Sequence, residues 1–150
     1  MIVGGLAVLL HGVDRLTADI DLALDLAPEA ATAAMTAFVA AGFRPMAPVD
    51  PLGFADVAQR SEWRKTRGME VFSLWDPQNR RPTVDIFSEP PIPFEELWSD
   101  AVRAELGTLT VRVASIAHLI RLKESVGRPK DLDDIARLRQ LPAFRRPGAE

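Results

Sequence analysis

The chain has 150 residues, 47% of them apolar and 26% charged, with no cysteine and a formal net charge of −3. This length suits one domain that buries its own core, and the balanced composition excludes a disordered tail. The missing cysteine excludes disulfide frameworks, thiolate metal sites and cysteine nucleophiles, and the net charge excludes a grip on nucleic acid by bulk positive charge.

Residues 1–10 are apolar but carry Gly4-Gly5 and no basic lead-in. The run is shorter than the about 20 apolar residues a bilayer requires and lacks the charged start of a signal peptide, so no membrane segment is expected. With no disulfides and no extracellular signature, the expected compartment is the cytoplasm. Charge divides unevenly. Residues 1–111 hold 9 basic and 16 acidic side chains, whereas residues 112–150 hold 9 basic and 5 acidic.

Ile2-Val3 reads as the end of a strand that enters the Gly4-Gly5 turn, and residues 6–10 as a short helix closed by His11-Gly12. Residues 19–24 alternate as a strand, with Asp19, Asp21 and Ala23 on one face. Pro28 opens a helix that reaches residue 41, with Met35, Phe38 and Val39 as its buried stripe. A short strand begins at Phe43-Arg44, and the proline-rich segment 45–54 reads as loop. Residues 69–75 and 83–87 form two strands joined by the turn Asp76-Pro77-Gln78-Asn79. A short helix over 94–98 follows the prolines. Segments 101–106 and 108–113 then form a hairpin hinged at Gly107. Ser115 caps a helix to residue 126, Gly127 interrupts it, and a last helix runs over 132–141 before a frayed tail. The expected organisation is a single domain over 1–150: a mixed-sheet core over 1–113, C-terminal helices over 114–141 and the tail at 142–150. Helices and strands mix without strict alternation, so the class is α/β in the loose, α+β sense with a mixed sheet.

The informative residues are acids. In a strand, Asp19 and Asp21 share a face while Ile20 anchors the other. Two adjacent carboxylates repel, and a protein tolerates that with a cation between them or with one of them protonated. The alternative is the exposed polar face of an edge strand. Asp85 stands alone among apolar neighbours in Thr83-Val84-Asp85-Ile86-Phe87, where an aspartate disfavours the strand. If it meets the first two, the three acids would complete a two-metal site. Gly4-Gly5 could admit a phosphate or serve any tight turn. Lys123 lies at i+7 of the apolar series Ile116, Leu119 and Ile120. It would either snorkel past its own stem or reach toward bound phosphates. Asp131 could equally cap the last helix or touch a ligand.

Gly4-Gly5-Leu-Ala-Val-Leu-Leu-His11-Gly12-Val-Asp-Arg15-Leu-Thr17-Ala-Asp19-Ile-Asp21 resembles the signature of the DNA polymerase β-type nucleotidyltransferase superfamily. Asp85 matches the superfamily's third strand-borne acid. Lys123-Glu-Ser-Val-Gly-Arg128-Pro-Lys-Asp131-Leu-Asp-Asp134-Ile is similar to a block in the AbiEii-like nucleotidyltransferases, toxins of type IV toxin–antitoxin systems. The resemblance implies a mixed-sheet nucleotidyltransferase fold with a C-terminal helical pair. It also implies transfer of a nucleoside monophosphate from an NTP to a hydroxyl on RNA or protein, with a cognate antitoxin as restraint. Asp19, Asp21 and Asp85 would be the catalytic acids and hold Mg²⁺, with Mn²⁺ as a substitute. Gly4, Gly5, Thr17, Lys123 and Arg128 would contact nucleotide, with Arg15 and Asp131 in support, and His11 would be a helix-end residue. Family members carry a longer lead-in before the glycine turn, which implies a chain that begins further upstream or a domain shortened at that edge. Two other outcomes share these residues: a decayed binding module of the same fold, and a small-molecule transferase of the aminoglycoside-modifying type.

Overall fold

The computed structural model describes residues 1–142. In chain order the elements are β1 (Ile2–Val3), α1 (Gly4–Leu10), β2 (Ile20–Leu22), α2 (Pro28–Ala40), β3 (Arg44–Pro45), a 3-10 turn (Pro51–Ala55) and α3 (Val57–Arg67). There follow β4 (Val71–Trp75), β5 (Val84–Phe87), α4 (Phe94–Ser99), β6 (Val102–Leu106), β7 (Leu109–Val113), α5 (Ile116–Val126) and α6 (Pro129–Leu138). The class is mixed α/β, as expected. No helix among the described residues is long and apolar enough to cross a membrane. The chain forms two compact units, one of residues 18–90 and one of residues 1–17 with the chain from Pro91 onward.

In the unit of residues 18–90 the strands lie in the order β3-β4-β5-β2. β2 runs parallel to β5, while β3 with β4 and β4 with β5 are antiparallel. The register stacks Phe72 beside Ile86 beside Leu22, and Leu74 beside Val84 beside Ile20. Those rows form one wall of a core that also contains Met35, Phe43, Phe54 and Trp63. Phe72 lies between two other rings, with centroids 4.8 Å from Phe54 and 5.9 Å from Trp63.

Three expectations need correction in this unit. The strand anticipated over 19–24 is ordered into the ladder only from Ile20 to Leu22. Val39, expected in the stripe of α2, is 45% exposed, because that helix buries Ala31 and Met35 instead. The segment anticipated as loop contains the 3-10 turn, started by Asp50, whose side chain accepts from Leu52 N–H, and it delivers the fully buried Phe54. Helix α3 had no counterpart in the expected elements. Its inner face is Arg60 and Trp63, and an arginine at a core position defeats any reading of apolar period. Arg60 is buried because its guanidinium donates to the carbonyls of Phe54 and Leu26, at 2.5 and 3.3 Å.

In the other unit the strand order is β1-β7-β6, with β1 parallel to β7 and β6 antiparallel to it. Ser115 accepts from His118 N–H and starts α5, which Gly127 ends in the left-handed conformation at φ 68°. The last helix starts at Pro129 and ends at Leu138, earlier at both ends than expected, because Pro129 takes the first helical position. The anticipated tail lies, beyond Pro142, outside the described residues.

Ile86 is fully buried beside Phe72, whereas Val39 faces solvent. Ile86→Ala should lower the unfolding free energy by about 2–5 kcal/mol in urea titration. Val39→Ala should stay within about 0.5 kcal/mol of the parent.

Candidate functional site

The register that builds the core of the 18–90 unit also builds a polar row on the opposite side. With Ile20, Leu22, Val84, Ile86, Phe72 and Leu74 on the core face, alternation sends Asp21, Asp85 and Ser73 to the other face. These three are register partners: Asp21 sits beside Asp85 on parallel strands, and Asp85 beside Ser73 on antiparallel ones. Adjacent strands lie about 4.8 Å apart, so the backbone positions that carry the two acids stand one strand spacing from each other. Asp85 Oδ1 is buried and has no hydrogen-bond partner among the described residues, a condition it shares with Nδ1 of His118. A buried acceptor without a donor calls for a water or an ion.

Asp19 is exposed and precedes β2. Among the described residues no three His, Cys, Asp or Glu side chains are gathered as a metal-ligand set. The ladder of β2 with β5 runs from Ile20 to Leu22, which places Asp21 beside Asp85, and Asp19 immediately precedes it. Two carboxylates still suit a hard divalent cation, since Mg²⁺ commonly takes one or two carboxylates and completes its octahedron with water and phosphate oxygens. The orphaned Oδ1 of Asp85 fits such a ligand.

The remaining expected site residues fall in the other unit, where most form one chain of contacts. A Cβ added to Gly5 would lie 2.8 Å from Thr17 Oγ1 and 3.1 Å from the Arg15 guanidinium carbon. Glycine here lets α1 pack closely against the chain's own Thr17 and Arg15, which a larger residue would have to displace. Gly4, at φ 60°, is the first residue of α1. Arg15 pairs with Asp134. Lys123 Nζ donates to Asp134 Oδ2 at 2.6 Å and to Asp131 Oδ1 at 3.3 Å. Arg128 Nε donates to Asp131 Oδ2 at 2.7 Å, and Arg128 N–H donates to the same oxygen at 3.2 Å. Asp131 therefore caps α6 from its third position, with Arg128 as the capping residue.

This cluster revises one expectation. Lys123 neither snorkels nor extends as a bare cation: its side chain is 8% exposed and its ammonium bonds to two buried carboxylates. Arg15, expected in support of the site, pairs with Asp134 on α6 and so joins the ion cluster. His11 ends α1 as expected, its backbone N–H donating to the Ala7 carbonyl, while its Nε2 donates to the Ala114 carbonyl at 2.8 Å. Burial by itself pushes the Asp131 carboxyl up. The hydrogen bonds from Arg128 and Lys123, with both positive charges, outweigh that and hold it below the usual aspartate value.

The residue that sequence reasoning undervalued is Asp134, the acceptor shared by Arg15 and Lys123. Its spacing from Asp131, three residues along a helix, was the available signal. No protein-family model matches the chain, and no curated protein matches it either.

Removing Asp134 leaves a buried ammonium short of an acceptor, so Asp134→Ala should cost about 3–5 kcal/mol in chemical denaturation. Asp131 contributes stability in its ionised form, present above the unfolded-state pKa and lost as pH falls through the lower folded value. The stability gap between the parent and Asp131→Asn should therefore be widest near neutrality. It should close as pH drops below about 4 in pH-resolved urea titrations.

Proposed function

We propose that this chain is a divalent-metal-dependent nucleotidyltransferase that moves a nucleoside monophosphate from an NTP to a hydroxyl on RNA or protein. The observation that carries this reading is the buried, unpartnered Oδ1 of Asp85, one strand spacing from Asp21. Asp21 and Asp85 would hold Mg²⁺, or Mn²⁺ in its place. When bound, the ion supplies charge neutralisation at the triphosphate and a lowered pKa for an attacking hydroxyl.

The chain's own part is placement. Val84 and Ile86 are buried on either side of Asp85, which fixes the backbone that carries it, and Ile20 and Leu22 pack against the same core and flank Asp21. Two carboxylates kept in register before a ligand arrives need little reorganisation when it does. The toxin-like role and the antitoxin rest on the similarity of the segment from Lys123 to Asp134 and belong to the same proposal.

One observation favours a second reading, a binding module that takes up cation and nucleotide without transfer. The lysine expected to contact phosphate is bonded instead to Asp131 and Asp134. Incubation with each labelled NTP, Mg²⁺ and cell extract separates the two. The enzyme labels an RNA or protein band, and Asp85→Asn lowers that labelling by at least about 100-fold. No label with any of the four NTPs, together with Mg²⁺ binding by calorimetry that Asp85→Asn removes, would establish the module instead.

A further inference from the structure

We propose that strand β6 is a self-pairing edge through which two copies of this chain associate about a two-fold axis at Ala104. Among the described residues β6 is the terminal strand of its sheet and pairs with β7 alone, so one side of its backbone is open. An open edge presents unpaired N–H and C=O groups, and proteins usually blunt it by shortness, by charged side chains, by proline, by a bulge or by a covering segment; the two charges of β6 are of opposite sign and so compensate each other in a self-pairing. The five residues Val102-Arg103-Ala104-Glu105-Leu106 contain no lysine or proline. The described residues place no other strand beside it.

The hairpin settles which backbone groups are open. Gly107 has φ 62° at the first position of a two-residue turn, with Leu106 facing Leu109 across it. A turn of this kind closes on a pair that exchanges both ladder hydrogen bonds, and the pattern then alternates. Val102, Ala104 and Leu106 thus direct their N–H and C=O groups to β7. Arg103 and Glu105 direct theirs outward.

An antiparallel copy centred on Ala104 brings Arg103 opposite Glu105 of the second copy, and Glu105 opposite its Arg103. Those are the positions whose backbone groups are open, so each facing pair completes ladder hydrogen bonds and an ion pair together. Within one copy Arg103 faces Arg112 across the hairpin, a like-charge pairing that weakens a sheet. The glutamate of the second copy places a negative charge beside that arginine pair. On the other face Val102 meets Leu106 of the second copy. Val102 and Leu106 are 41% and 38% exposed in the single chain. A cleft of about 580 Å³ borders Val102, Arg103 and Ala104, with Leu10, His11 and Ile116 among its walls. A partner with arbitrary charge would not match both faces; a second copy matches both by symmetry.

Charge reversal tests this directly. Sedimentation velocity of the 150-residue chain should show a shift from monomer to dimer between about 1 μM and about 1 mM. Arg103→Glu alone and Glu105→Arg alone should each remain monomeric across that range. An equimolar mixture of the two variants should dimerise again, because each then faces the opposite charge at both positions. Circular dichroism of each variant should match the parent. In hydrogen exchange of the parent, the amides of Arg103 and Glu105 should lose protection on dilution while those of Val102, Ala104 and Leu106 keep it. A parent that stays monomeric, a dimer that survives either reversal, a mixture that stays monomeric, or amide protection at Arg103 and Glu105 that ignores concentration would each overturn the proposal.

Discussion

The candidate site depends on the register between β2, β5 and β4. A strand cannot turn one residue toward a core without turning the next one away. With three strands in register, that rule makes a wall of six apolar side chains and an opposing row of Ser73, Asp85 and Asp21. Burial of Phe72, Leu74, Val84 and Ile86 supplies the favourable free energy. The same burial holds Asp21 and Asp85 in register on adjacent strands. A one-residue slip of β5 would bring Asp85 into the aromatic core, so the position of the acid is as strongly specified as the packing.

The ion cluster of Arg15, Lys123, Arg128, Asp131 and Asp134 obeys a different constraint. A buried lysine needs acceptors, and α6 provides two, one turn apart on its inner face. Asp131 has a second task at the start of that helix, where it accepts from Arg128 N–H. Residues far apart in the chain, from Gly5 to Asp134, are tied together through Arg15. Such a cluster orders its unit, and it engages the cations that a phosphate-contact role would require to be free.

Local chemistry was legible from the residues. Ser115 capping α5, Gly127 ending it, Gly107 turning the hairpin and the alternation around Asp85 each follow from one residue type in one backbone conformation. Helix α3 was not legible, because its buried face is an arginine and a tryptophan, and Arg60 is stabilised there by carbonyls of Phe54 and Leu26 that come from other segments. The pairing of Asp21 with Asp85 could be suspected from two isolated acids, but their neighbouring registers could not. Nor could the partners of Lys123: periodicity puts it on the inner face of α5, while the carboxylates that meet it come from another helix. Asp19 illustrates the converse. It alternates correctly with Asp21, yet the ladder begins one residue later.

We propose that Asp21 and Asp85 hold a divalent cation together. Titration of the isotope-labelled chain with Mn²⁺, followed by amide NMR, tests it without any assumption about substrate or acceptor. Paramagnetic broadening should begin at Asp21, Leu22, Asp85 and Ile86 and should vanish in Asp85→Asn. Broadening that begins at other carboxylates, or that persists unchanged in Asp85→Asn, would contradict the claim.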